Sequence, residues 1–191
     1  MRLAILGGTF NPVHIGHLSL SEDVHRTLGY DRILLIPAHI PPHKVMAEGA
    51  SSADRLEMLR IAAEGISYLE SDDCELVRGG VSYTIDTIAY LEEKYAHCLD
   101  GKIGLIIGQD LCPGFSSWRE SSVIAEKTDI IIAKRPLAPI LDFMYPFTQL
   151  ENTLLSISSS EIRKNAASLK SIRYLVPEGV YRYIKAHHLY E

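Results

Sequence analysis

Four short stretches, residues 2–6, 32–36, 102–107 and 129–133, are almost wholly apolar and rich in isoleucine and leucine. A strand with one wet face would alternate apolar and polar residues. An unbroken apolar strand has to be covered on both faces, which is the condition of a parallel sheet sandwiched between helices. The segments between them, 17–28, 53–64, 84–96 and 118–126, carry helical spacing. In the second of these, Leu56, Leu59 and Ala63 share one face, while Asp54, Glu57 and Glu64 face water. Residues 74–77 read as a fifth strand and 154–157 as a sixth. This alternation predicts the α/β class, with an open, doubly wound parallel sheet and right-handed crossovers.

At 191 residues the chain is sized for a single domain over 1–191, ending in a small helical tail over about 159–191. The tail reads as two helices, 159–167 and 177–186, with Pro177 suited to a first helical turn. A chain of this length buries roughly 70 % of its unfolded surface and needs no staple. Hydrophobic residues at 47 % and charged residues at 23 % exclude intrinsic disorder. A net charge of −5 offers no basic footprint for nucleic acid, although a local nest of amides and cations can still hold a phosphate. Cys74, Cys98 and Cys112 show no metal-binding spacing, and their odd number argues against a disulfide framework. They read as reduced thiols of a cytoplasmic protein. The apolar start of the chain is cut off at Gly7 and Gly8, too early for a signal peptide. No apolar run approaches the ~20 residues of a membrane span, so no membrane partner is expected. Two loops are too long to be mere connectors, 37–52 and 136–152. The second is an insertion or a contact between copies in a homo-oligomer.

In an open α/β sheet, ligands sit beyond the carboxyl ends of the strands. The first such end here is Gly7-Gly8-Thr9-Phe10-Asn11-Pro12-Val13-His14-Ile15-Gly16-His17. Two glycines straight after a buried strand allow a sharp turn and close backbone approach to a ligand. The helix that follows aims its free N–H groups and positive dipole end at the same place, which suits a phosphate. His14 and His17, three residues apart, share a face and can donate to charge developing on that phosphate. The string is neither G-x-x-x-x-G-K-[ST] nor G-x-G-x-x-G. A histidine pair alone could bind a metal, but no third ligand stands at a characteristic spacing, so no protein metal site is expected.

The string G-G-T-F-N-P-x-H-x-G-H resembles the signature of the nucleotidyltransferases related to class I aminoacyl-tRNA synthetases, in which HxGH embraces the triphosphate of ATP or CTP. A second segment, Ser156-Ile157-Ser158-Ser159-Ser160-Glu161-Ile162-Arg163, has the form of a capping box, Ser158 with Glu161. It also resembles the I-S-S-T-x-I-R motif of adenylyltransferases, with Ser160 in place of threonine. Both readings can hold, because a serine-rich helix start followed by arginine clamps phosphate. Three further segments resemble the nicotinate-nucleotide adenylyltransferases in particular: Pro41-Pro42-His43-Lys44, Ser82-Tyr83-Thr84-Ile85-Asp86-Thr87, and Ile107-Gly108-Gln109-Asp110 followed by Trp118. Taken singly, these are an ordinary loop, a helix start and a strand end. Together, in chain order, they cover nearly the whole sequence; residues 134–155 match least, with only Arg135-Pro136 loosely comparable to a family R-P element.

The resemblance implies a Rossmann-like nucleotidyltransferase fold that transfers AMP from ATP to nicotinate mononucleotide, giving nicotinate adenine dinucleotide and pyrophosphate. It implies charge stabilisation by His14, His17, Lys44 and Arg163. ATP contacts are implied at Gly7, Gly8, Thr9, Phe10, Gly16, Gly108, Asp110, Ser158, Ser159 and Ser160. Nicotinate-nucleotide contacts are implied at Asn11, His43, Thr84, Trp118 and Arg119, with the indole stacked on the pyridine. Asn11 also helps order the turn. Mg²⁺ is expected on the ATP phosphates. Pantetheine-phosphate adenylyltransferase shares HxGH and a serine-rich late motif, but has no use for a carboxylate-binding S-Y-T segment or a stacked tryptophan. A class I synthetase fragment would need a K-M-S-K-S-like loop and a tRNA-binding domain. A non-catalytic nucleotide sensor would not need His14, His17, Lys44 and Arg163 together.

Overall fold

The computed structural model describes residues 1–42, 45, 47–136 and 142–191. His43 and Lys44, both expected at the site, lie outside the described residues. The four apolar stretches form β1 (Leu3–Gly8), β2 (Arg32–Pro37), β4 (Ile103–Gly108) and β5 (Thr128–Ala133). Two short strands, β3 (Leu69–Ser71) and β6 (Thr148–Leu150), flank them. Among the described residues these make one parallel sheet in the order β3-β2-β1-β4-β5-β6. The chain starts in the middle, builds outward through β2 and β3, then crosses back to β4. The crevice therefore opens at the carboxyl ends of β1 and β4, where the winding direction reverses.

Alternate residues of each central strand feed two separate cores, which is why the strands read as unbroken apolar runs. Ala4, Leu6, Ile33 and Leu35 face helices α1 (Ile15–Leu28), α2 (Ser52–Ala63), α6 (Ser159–Ala167) and α7 (Glu178–Ala186), through residues such as Val24, Met58, Ile162 and Ile184. Leu3, Ile5, Leu34 and Ile107 face α4 (Thr84–Tyr95) and α5 (Ser121–Lys127), through Ile88, Leu91 and Ile124.

Four expectations are corrected. Residues 74–77 form not a strand but α3 (Cys74–Arg78), a single helical turn; the strand of that region is β3, five residues or fewer upstream. Residues 154–157 form no strand, and the last strand is β6. Residues 118–126 are not one helix: a 3₁₀ segment, Gln109–Ser117, precedes an extended Trp118, and Glu120 takes a left-handed φ of 56° before α5 starts. On α2 the buried face is Arg55, Met58, Leu59 and Ala62, a stripe displaced toward the N-terminus from the one expected. Leu56 and Ala63 are only half-buried.

Candidate active site

Beyond β1 the backbone reverses through Gly8, Thr9 and Phe10 before α1 begins. Phe10 is 2 % exposed and holds a left-handed φ of 46°, a state that persists in a non-glycine residue only when packing over-determines it. Its ring meets that of His17 edge-on at 4.9 Å. His14 is the N-cap of α1, and its backbone N–H donates to His17 Nδ1 at 3.2 Å. This bond needs a lone pair on Nδ1, so the Nε2 of His17 is the nitrogen that carries the proton. The two imidazoles stack with centroids 3.7 Å apart. Gly16 permits the stack: a Cβ there would stand 3.1 Å from the Cε1 and Nδ1 of His14. Burial, and second the positive charge of Arg135, lower the His14 pKa to about 4. His14 is therefore neutral at physiological pH, and its Nδ1 is a buried nitrogen with no hydrogen-bond partner among the described residues.

Residues distant in the chain hold this turn in place. Arg163 Nη1 donates to Asn11 O at 2.7 Å and Nη2 to Ser160 Oγ at 3.2 Å. Ser159 Oγ donates to Pro12 O at 2.8 Å, and Ser158 caps α6 by accepting from the N–H of Glu161. Of the expected capping box, the half in which the Ser158 hydroxyl accepts is present, and the same segment binds the turn through Ser159 and Arg163. Asn11 is 1 % exposed, and its side chain is engaged by Ala47 and Tyr190. Arg55, 1 % exposed, donates to Thr9 O at 2.8 Å.

Beside the turn lies a cleft of about 280 Å³ whose lining includes Gly7, Gly8, Thr9, Thr84, Trp118 and Arg119. Its floor is apolar, from Ile5, Ile36, Leu105 and Ile107. One wall is the start of α4, where a helix leaves its first N–H groups, here those of Thr84 and Ile85, without i−4 partners; the N–H of Asp86 is taken up by Tyr83 O at 3.2 Å, and N-cap Tyr83 supplies no side-chain bond. Buried Glu75 accepts from Thr87 Oγ1 at 2.6 Å and ties α3 to α4. The strip 38–40 is pinned to the same wall, His39 N–H donating to Ser82 Oγ at 2.8 Å and Ser82 N–H to Ile40 O at 2.9 Å. Opposite stands Trp118, its ring 5.0 Å from Phe115, which in turn meets Phe143 and Tyr145 edge-on. The aromatic residues of the 136–152 loop therefore back the Phe115–Trp118 pair. Arg119 leans over Tyr83, 4.9 Å from its ring centroid, and pairs with Asp86 at 3.7 Å. At the end of β4, Asp110 pairs with Arg135 at 3.4 Å across Gly108.

Among the described residues, no cluster of three or more His, Cys, Asp or Glu could hold a metal ion. No described helix is long and apolar enough to cross a membrane. Sequence reasoning assigned no role to Arg55, Tyr190 or Glu75. For Arg55 a signal existed: an arginine at helical spacing with Met58, Leu59 and Ala62 sits on the apolar face.

Residues 5–165 match the family described as cytidylyltransferase-like. The chain is 41 % identical over 190 residues to the probable nicotinate-nucleotide adenylyltransferase of Borreliella afzelii (strain PKo), covering 100 % of this chain and 97 % of that protein. It is 37 % identical over 202 residues to the protein of the same name from Treponema pallidum (strain Nichols), covering 100 % and 99 %. The solved Plasmodium falciparum nicotinic acid mononucleotide adenylyltransferase complexed with NaAD shares the fold, with a TM-score of 0.77 at 21 % identity over 99 % of this chain and 97 % of that one. By its glycine–histidine turn, its sheet order and its full-length similarity, the chain belongs to the nicotinate-nucleotide adenylyltransferase family of cytidylyltransferase-like proteins.

Proposed function

We propose that this chain transfers the adenylyl group of ATP to nicotinate mononucleotide, forming nicotinate adenine dinucleotide and releasing pyrophosphate. One observation carries the reading: the turn that leads to two stacked imidazoles shares its Gly7, Gly8 and Thr9 with the lining of an apolar cleft, together with Trp118 and Thr84 at the start of α4. A triphosphate and a flat, negatively charged heterocycle are the two chemistries that such neighbours recognise.

A phosphate oxygen of nicotinate mononucleotide attacks the α-phosphorus of ATP. The new O–P bond forms as the bond to the bridging oxygen breaks, and that electron pair leaves on pyrophosphate. The attacking oxygen is already ionised, so neither a protein nucleophile nor a strong base is needed. Placing two anions in line and stabilising the developing charge are what remain. Gly7, Gly8, Thr9 and Phe10 offer backbone approach to the triphosphate. His17, through Nε2–H, and neutral His14 donate to it. Arg163, with Ser158, Ser159 and Ser160, brings the start of α6 to the same phosphates, and Lys44 adds a second cation. Asp110 bonds the adenosine ribose. Trp118 stacks on the pyridine, and the N–H groups near Thr84 hold its carboxylate. Arg119, with His43, attracts the mononucleotide phosphate; Asn11 orders the turn rather than reaching the substrate with its buried amide. Mg²⁺ enters as part of the substrate, on the ATP phosphates and their waters. The free thiols Cys74, Cys98 and Cys112 suit a cytoplasmic setting.

Product identity tests the reading. With ATP and nicotinate mononucleotide, pyrophosphate and nicotinate adenine dinucleotide should appear in equal amounts. With phosphopantetheine as acceptor, neither a dinucleotide analogue nor pyrophosphate should appear above the acceptor-free rate. Pyrophosphate formed only with phosphopantetheine would overturn it.

A further inference from the structure

Tyr190, one residue from the C-terminus, is 7 % exposed and holds a left-handed φ of 67°. A buried non-glycine residue keeps this backbone state only where its surroundings enforce it. The ring lies against Gly49 so closely that a Cβ there would stand 2.5 Å from Tyr190 Cδ1. The hydroxyl donates to Asn11 Oδ1 at 2.7 Å, across 179 residues of sequence.

Asn11 is a junction. Its Nδ2 donates to Ala47 O at 2.8 Å, and its own carbonyl accepts from Arg163 at 2.7 Å. Ala47 O can only accept and the Tyr190 hydroxyl donates, so the pair fixes which way the amide points. One buried side chain thereby ties the phosphate turn to the loop after β2 and to the C-terminus. The backbone on either side of it is held by Arg55 at Thr9 O and by Ser159 at Pro12 O. Packing alone does not ask for the phenol oxygen, because phenylalanine would fill the same space against Gly49. The oxygen is needed only to satisfy and orient Asn11, whose buried Oδ1 would otherwise lose this partner.

We propose that Tyr190 is a positioning residue for adenylyl transfer: its hydroxyl fixes Asn11, and through Asn11 the 9–14 backbone that carries His14 to the triphosphate. A displacement of about 1 Å in such a turn is enough to lower a rate by an order of magnitude or more. The kinetic part of this inference rests on the proposed activity; its structural part does not.

The test compares wild type, Tyr190→Phe, Asn11→Ala and the double variant, by steady-state kinetics, thermal melting and amide hydrogen exchange. Tyr190→Phe should lower kcat about 10-fold, with KM for nicotinate mononucleotide within about 2-fold of wild type. Exchange should accelerate at residues 8–14 and 47–49, while the 180–184 core of α7 keeps its protection. Because Tyr190 acts through Asn11, the double variant should be no slower than Asn11→Ala alone. Gly49→Ala, which displaces the ring by a different route, should reproduce the faster exchange at 8–14. Unchanged kcat and exchange in Tyr190→Phe would overturn the proposal. So would exchange that rises equally in α7, or rate losses that multiply in the double variant. If wild type makes no dinucleotide the proposed function fails, and exchange at 8–14 in Tyr190→Phe still decides the role of the hydroxyl.

Discussion

His14 and His17 sit three residues apart on one turn of α1, yet their surroundings give them different chemical roles. His14 is buried beside the charge of Arg135, so its pKa falls from 6.5 to about 4. The unfolded chain takes up a proton at this residue below about pH 6.5, whereas the folded one does not until near pH 4. Its contribution to stability is thus intact above pH 6.5 and is lost as the pH falls toward 4. Urea unfolding at pH 7 and pH 4.5 should show wild type losing about 2–3 kcal/mol more than His14→Asn; parallel losses would contradict the burial argument. His17 offers Nε2–H, and the loss of one such transition-state donor lowers kcat by about 10²–10³. His17→Ala should fall in that range with ATP affinity changed by only about 3-fold, and near-normal turnover would leave His17 a helix-start residue. Both histidines were legible because glycines, imidazoles and a strand end coincide within 11 consecutive residues. Arg55 and Tyr190 were not, since their partners Thr9 and Asn11 lie 46 and 179 residues away. Only folding makes those pairs neighbours.

The elements divide along the same line. β1, β2, β4 and β5 announced themselves because both faces of each are buried. The three-residue edge strands β3 and β6 each bury only one residue, Leu69 and Leu150, and so carry no apolar run to read. The Cys-Glu-Leu-Val stretch, expected as a strand, is the helical turn α3. Glu75 is buried by its bond from Thr87, and Val77 is 77 % exposed. Trp118 was expected within a helix; as the extended link between the 3₁₀ segment and α5 it lines the cleft instead. Gly16 provides an element-scale test, because it lies inside α1, where alanine is the better helix former by about 1 kcal/mol. A Cβ there would crowd the His14 ring. Gly16→Ala should therefore keep or raise the melting temperature while lowering kcat about 10-fold or more. Loss of folding together with activity would assign the glycine to the helix rather than to the imidazole stack.

At the scale of the molecule, the sheet order puts the glycine turn of β1 and the Gly108–Asp110 end of β4 side by side at the reversal of winding. That juxtaposition sets the imidazole-bearing start of α1 beside an aromatic cleft, in a chain of net charge −5. On the proposed reading, in which Mg²⁺ comes with ATP rather than with the fold, EDTA should abolish turnover, Mg²⁺ should restore it, and the melting temperature should not move. A melting temperature lowered by EDTA would point to a structural metal instead. The central claim concerns the pyridine substituent. Nicotinate and nicotinamide mononucleotides differ only in carboxylate against amide, and the start of α4 offers backbone donors. On the proposed reading a carboxylate accepts from them with charge assistance, whereas an amide turns an NH₂ toward at least one and leaves it unpaired in the cleft that Trp118 lines. Sites built around one polar partner discriminate by up to about 10⁴ on this basis. The decisive measurement is kcat/KM for the two mononucleotides with saturating MgATP. A preference of at least ~10²-fold for the acid is the predicted result, and equal values for acid and amide would contradict it.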